Sequence, residues 1–169
     1  MKTTTRLLLF AALLSLGACG FQLRGHGNQK TEFAFQSVYL KAPGESSFVT
    51  DLRSALSLNK VAVSSIPEQA TITLEIVAEA ADKQILALSG AGRIREYQLR
   101  YHVSLRAYDG QLAVWLPEEE ISLTRTLTYD DAQVLSKEQE EALLYKDMRG
   151  DAVTQALRRL SRAKPHKTE

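Results

Sequence analysis

Tyr97-Gln98-Leu99-Arg100-Tyr101-His102-Val103-Ser104-Leu105-Arg106-Ala107 changes character at every residue. Tyr97, Leu99, Tyr101, Val103, Leu105 and Ala107 occupy one phase; Gln98, Arg100, His102, Ser104 and Arg106 occupy the other. Successive strand residues point to opposite faces, so this run predicts a strand, about Ile94 to Tyr108, with one face covered and one wet. One covered face suits an antiparallel sheet. Asp109-Gly110 offers a hairpin turn, and Glu119 to Thr128 continues the pattern. There Ile121, Leu123 and Leu127 alternate with Ser122, Thr124, Thr126 and Thr128, and Arg125 interrupts the apolar side. Upstream, Ile72, Leu74 and Ile76 share one face of a strand predicted over Ala70–Ala78.

Two helices flank this core. Phe35 to Leu40 reads as a short strand, and Ala42-Pro43-Gly44 as a turn. Ser46 or Ser47 then caps a helix whose Phe48, Leu52, Ala55 and Leu56 share a stripe, with Asn59 as its left-handed terminator. Val61 and Val63 form a brief extended stretch before Pro67. Near the C-terminus, Ser136 and Gln139 fit a capping box opening a long helix. Tyr145, Met148, Ala152, Ala156 and Leu160, widened by Val153 and Leu157, make its apolar stripe. The order strand-helix-strand-strand-strand-helix predicts an α+β fold: a four-stranded, mostly antiparallel sheet with two helices packed on one face.

The N-terminus carries a different message. Lys2 and Arg6 precede the uncharged run Leu7–Leu16, a secretory pattern too short to span a membrane as a helix. Leu16-Gly17-Ala18-Cys19 follows and resembles the bacterial lipobox. Cys19 is the only cysteine in the chain, so no internal disulfide can use it, and acylation explains an odd thiol in an exported protein. Residues 1–18 are thus expected to be a lipoprotein signal peptide and 19–30 the lipidated N-terminus and tether. A single α+β domain is expected over 31–163, with 164–169 a flexible tail. Gly20, in place of an aspartate after the cysteine, favours the outer membrane by resemblance to enteric sorting. The chain from Cys19 onward keeps 19 Lys and Arg against 20 Asp and Glu, which argues against nucleic acid as a partner.

Catalytic patterns are missing. His26, His102 and His166 fall in separate elements without metal-ligand spacing. Leu88-Ser89-Gly90-Ala91-Gly92 does not imitate a nucleophile elbow, and Arg95 replaces the third glycine of a dinucleotide fingerprint. Asp130 and Asp131 read as turn residues more readily than as an acid–base pair. The expectation is a non-enzyme without metal or cofactor.

Four stretches carry a family resemblance. These are Cys19–Gly25 (CGFQLRG), Arg93–Leu99 (RIREYQL), Tyr129–Glu141 (YDDAQVLSKEQEE) and Met148–Val153 (MRGDAV) with Leu157–Leu160 (LRRL). In order and spacing the chain resembles the lipopolysaccharide-assembly lipoprotein family, LptE, from end to end. The resemblance implies a non-enzymatic plug inside the LptD outer-membrane β-barrel. Such a plug helps the barrel assemble and contacts lipopolysaccharide on its way to the outer leaflet. It also implies two helices on a four-stranded sheet. Ligand contact is expected from Arg93 or Arg95, whose register before Glu96 stays open, and from Lys137, at a position similar to the family's basic one; acylated Cys19 is expected to hold the chain to outer-membrane lipid. Between Arg93 and Arg106, four arginines stand against Glu96 alone, a local surplus suited to phosphates. A free periplasm-facing outer-membrane lipoprotein that binds a small or lipidic ligand without a barrel is the alternative.

Overall fold

A computed structural model describes residues 32–165. Cys19, His26, His166, the signal segment and the end of the tail lie outside the described residues. Five strands and two long helices follow in order. They are β1 (Ser37–Lys41), α1 (Ser47–Leu58), β2 (Ala62–Ser64), β3 (Ile72–Leu88), β4 (Ile94–Tyr108), β5 (Val114–Thr128) and α2 (Val134–Leu160). The α+β class and its two helices stand as expected, but the sheet has five strands, not four, in the order β2-β1-β3-β4-β5. The extra strand is the brief extended stretch around Val63. It pairs parallel with β1, Ser37 opposite Ala62. Three residues are too few to show a period, so only the neighbouring strand reveals it.

β1 is parallel to β3 as well, from Val38–Ile72 to Lys41–Glu75, while β3, β4 and β5 form an antiparallel meander. Both helices cover the same sheet face and touch each other, with Arg149 of α2 paired to Asp51 of α1 at 3.3 Å. Into this layer go Phe48, Leu52 and Leu56 from α1, Met148, Ala152, Ala156 and Leu160 from α2, and Ile72, Leu74, Leu99, Val103, Leu105, Ile121 and Leu127 from the sheet. The alternation of β4 is reproduced residue by residue: Leu99, Tyr101, Val103, Leu105 and Ala107 are buried.

Three local devices differ from expectation. The Ser46 hydroxyl does cap α1, accepting from Val49 N–H at 3.1 Å, but Asn59 has φ −87° and it is Lys60 that turns left-handed at φ 65°. The Asn59 side-chain amide donates to the Ala55 carbonyl at 2.8 Å, and left-handed Lys60 closes the helix end, its N–H reaching the Ser57 carbonyl at 3.0 Å while Val61 N–H reaches that of Leu56 at 3.1 Å. Helix α2 begins at Val134, two residues before the Ser136 capping box. Asp130 caps a short 3-10 turn, Asp131–Gln133, that runs straight into it, and the Ser136 hydroxyl donates to the Gln133 carbonyl. The β4–β5 turn spans five residues, Asp109–Ala113, gathered by the Asp109 carboxylate accepting N–H bonds from Gln111 and Ala113. Leu112, rather than Gly110, takes the left-handed conformation there.

The largest difference is the length of β3. It continues ten residues past the predicted end at Ala78, because a β-bulge at Val77 shifts the phase of its side chains. Ile76 pairs with Leu105, but Ala78 pairs with Ser104, so Glu79, Ala81, Lys83 and Ile85 now face the helices. Polar residues in the inward phase erase the alternation that would have announced the strand.

Candidate functional site

The site lies at the end of the sheet where β3 turns into β4 and β5 leads to α2. The Tyr129 N–H donates to the Arg95 carbonyl at 2.8 Å, which binds the start of β4 to the exit of β5. The Tyr129 ring meets Tyr97 edge-on, centroids 5.2 Å apart at 84°, an arrangement aromatic quadrupoles favour. Behind it, the Lys83 ammonium sits 4.2 Å from the Tyr97 ring centre and pairs with Glu141 of α2. The Tyr145 hydroxyl donates to the Asp82 carbonyl at 2.8 Å and ties α2 to the far half of β3.

Next to these contacts lies a cleft of about 520 Å³ lined by Ser89, Arg93, Arg95, Glu96, Thr128 and Tyr129, with Asp130 and Asp131 on its α2 side. Arg93 and Arg95 are both exposed, and neither pairs with a carboxylate among the described residues. Lys137 reaches the same corner from the first turn of α2. Its ammonium donates to the Thr128 hydroxyl at 3.1 Å and to Glu140 at 2.8 Å, so it is a tethered cation. The structure thus brings the three sequence-expected residues to one end of the molecule.

It also thins the arginine surplus of β4. Arg100 points to the open face and pairs with Asp82 at 3.2 Å. Arg106 lies at the opposite end and shares Glu75 with Lys41. Hydrogen bonding from Lys41, reinforced by Arg106 and opposed by burial, holds the Glu75 carboxyl below the ordinary carboxylate range. Only Arg93 and Arg95 keep their charge uncommitted, and Glu96, Asp130 and Asp131 stand close by.

What sequence reading missed at this end is apolar. Ile85, Leu86 and Leu88 at the far tip of β3 are 57%, 48% and 57% exposed, and Leu135 at the start of α2 is 70% exposed. Cation and exposed hydrocarbon side by side can receive an amphiphile with an anionic head. The open face of the sheet is polar by contrast: Gln98, Arg100, His102 and Ser104 of β4 lie beside Thr126, Thr124, Ser122 and Glu120 of β5. Among the described residues no group of His, Cys, Asp and Glu could hold a metal, and no helix is long and apolar enough to cross a membrane.

Known proteins bear on this geometry. The family described as LptE, lipopolysaccharide-assembly, matches residues 35–160. A relative from Yersinia enterocolitica, an LPS-assembly lipoprotein LptE, is 29% identical over 161 residues, covering 91% of this chain and 73% of that protein. Among solved structures, lipoprotein B from Nitrosomonas europaea has a TM-score of 0.72 and 41% identity, covering 84% of this chain and 90% of its own. A minor lipoprotein from Acinetobacter baumannii shares the fold alone, at TM-score 0.66 and 22% identity over 81% of this chain and all of its own. The family match spans both helices and all five strands, and it includes the corner where Arg93, Arg95 and Lys137 converge. The chain belongs to the LptE family of lipopolysaccharide-assembly lipoproteins.

Proposed function

We propose that this lipoprotein is acylated on Cys19, resides at the outer membrane, and works as a plug and assembly factor in the lumen of the LptD β-barrel. In that position its tip contacts lipopolysaccharide in transit to the outer leaflet. The observation that carries the reading is the tip itself. Uncommitted Arg93 and Arg95, with Lys137 held beside them through Thr128, adjoin exposed Ile85, Leu88 and Leu135. Lipopolysaccharide offers phosphates to the first group and acyl chains to the second. The open sheet face supports the plug: a row of Thr, Ser, Gln and Arg suits a polar, water-filled lumen better than a lipid tail. Family membership favours a non-enzymatic role.

Reversing Arg93, Arg95 and Lys137 to Glu together turns charge-assisted contacts into repulsion; Arg93 and Arg95 are exposed, and Lys137 gives up only its surface bonds to Thr128 and Glu140. Lipopolysaccharide binding, titrated with the purified ligand, is expected to weaken while circular dichroism stays unchanged. The loss should shrink as salt rises, since exposed charges are screened over ~8 Å at physiological ionic strength. Unchanged binding by the folded variant would refute the ligand role. Recovery of one large β-barrel protein in equal amount from detergent-solubilised envelope tests the plug, and palmitate labelling that disappears in Cys19→Ala tests the anchor. A wild-type chain that recovers no barrel is the free lipoprotein of the alternative reading.

A further inference from the structure

Exposed apolar side chains also occur at the end of the sheet opposite the tip. There the β4–β5 turn carries Leu112, 75% exposed, and Val114, 44% exposed. With Tyr108, Leu116 and Pro117 they line an open cleft of about 480 Å³, whose only charged walls are Arg106 and Glu118. Leu112 is the residue of that turn with a positive φ, 62°, a conformation that strains a leucine and that glycine takes freely. Asp109 fixes the turn in this shape, accepting from the Gln111 and Ala113 N–H groups and from the Trp115 indole at 3.3 Å. A strained turn that leaves a leucine in solvent gives the domain no packing in return.

Two further features of this end fit a lipid surface. The first is where the chain toward Cys19 leaves the domain. Phe33 packs on Phe35 with centroids 5.3 Å apart, and Phe35 meets Trp115 edge-on at 6.2 Å, so the start of the described chain lies against the strand that carries the cleft. The twelve residues between Cys19 and Glu32 span at most about 45 Å. β4, with 15 residues, separates the cleft from the tip by ~50 Å. An acylated Cys19 therefore keeps the cleft within reach of its bilayer, and the tip stands a strand length further from the point of attachment. The second feature is charge. Arg159 at the end of α2 reaches Glu119 and the Glu120 carbonyl of β5, which brings Arg162 and Lys164 to the same end. Both are exposed, and neither pairs with a carboxylate among the described residues. Exposed hydrocarbon beside free cations is what an anionic phospholipid surface receives. We propose that the acylated lipoprotein, before any barrel encloses it, stands end-on on the phospholipid surface that holds Cys19. Leu112 and Val114 dip below the headgroups, and Arg162 and Lys164 face phosphates. The inference rests on the acylation of Cys19 and not on the barrel.

Cys19 is the only cysteine and acylation consumes its thiol, so one introduced cysteine takes an environment-sensitive fluorophore. Leu112→Cys and, at the tip, Leu135→Cys replace leucines of similar exposure, 75% and 70%. Each is labelled in the full lipoprotein and reconstituted, without a barrel, into vesicles of phosphatidylethanolamine and phosphatidylglycerol. The Leu112→Cys label is expected to shift to the blue and to be quenched several-fold by lipids spin-labelled near the headgroup, while the Leu135→Cys label stays in water. With the label moved to Gln111→Cys, replacing Leu112 and Val114 by Ser should remove the shift, and circular dichroism checks the fold. Arg162→Glu with Lys164→Glu should weaken it, more in low salt than in high. A Leu112→Cys label that stays in water on a chain that floats with the vesicles overturns the proposal. Equal quenching at Leu135→Cys overturns it as well, since the domain then lies on its side. A shift that appears in detergent and grows with protein concentration assigns the surface to a second copy and overturns it too. Wild type that takes up no palmitate and does not float with vesicles fails the Cys19 reading itself, and the end-on pose falls with it.

Discussion

The two halves of β3 obey different rules although one strand contains them both. From Ile72 to Ile76 every inward residue is buried: Ile72 is 1% exposed, Leu74 0% and Ile76 2%. From Glu79 to Ile85 the inward positions hold Glu, Ala, Lys and an exposed Ile; Glu79 bonds Ser46 at the start of α1, and Lys83 pairs with Glu141 of α2. One inserted residue at Val77 separates the regimes. The near half stabilises the domain through burial. In the far half, inward polar groups are partnered one by one, and Ile85 and Leu88 are left exposed.

Matched truncations should break or confirm this contrast. Leu74→Ala removes a fully buried side chain from the core layer and should cost on the order of 2–5 kcal/mol, read as a shift in urea midpoint. Ile85→Ala, in the same strand and on the same face but past the bulge, should stay within about ±0.5 kcal/mol. Comparable losses would mean that the tip belongs to the core and is not held in reserve for a ligand.

A smaller effect sharpens the boundary itself. The Tyr101 hydroxyl donates to Glu79 at 2.7 Å, and the Ser46 hydroxyl donates to the other carboxylate oxygen at 2.6 Å. Burial, followed by this bond to Glu79, pushes the Tyr101 hydroxyl well above the ordinary tyrosine range. Tyr101→Phe should cost about 1 kcal/mol, since a net hydrogen bond contributes roughly that much and Glu79 keeps Ser46. A neutral result would remove Glu79 from the devices that anchor β3 just past the bulge.

The smallest expected effect is a pH dependence in the near half. The Glu75 carboxyl is held low, first by Lys41 and then by Arg106. A depressed carboxylate contributes stability that is complete above its unfolded value and is lost as pH falls through its folded one. Lowering the pH from neutral through the carboxylate range should therefore destabilise wild type more than Glu75→Gln. Parallel losses in urea titrations of the two proteins would show that the triad with Lys41 and Arg106 is inert.

Much of the near half was legible beforehand. Ile72, Leu74 and Ile76, the whole apolar phase of β4, and the stripes of both helices follow from burial of one face at a period of two or 3.6. Cys19 lies outside the described residues and stays a reading of its lipobox. The site was legible only in part. Arg93, Arg95 and Lys137 were named through family resemblance, but the same reading counted Arg100 and Arg106 as surplus charge. Partners distant in sequence, Asp82 and Glu75, remove both from that count.

Local pattern alone determined the fold class, the inward face of β4 and the two amphipathic helices. Each is a property of neighbours a few positions apart, and side-chain periodicity records it directly. Tertiary structure alone decided the fifth strand, the reach of β3 past its bulge, which arginines stay uncommitted, and the exposed tip. Each depends on pairing between residues dozens of positions apart. A bulge reverses the meaning of every position after it, and no local pattern can show that without the strand alongside.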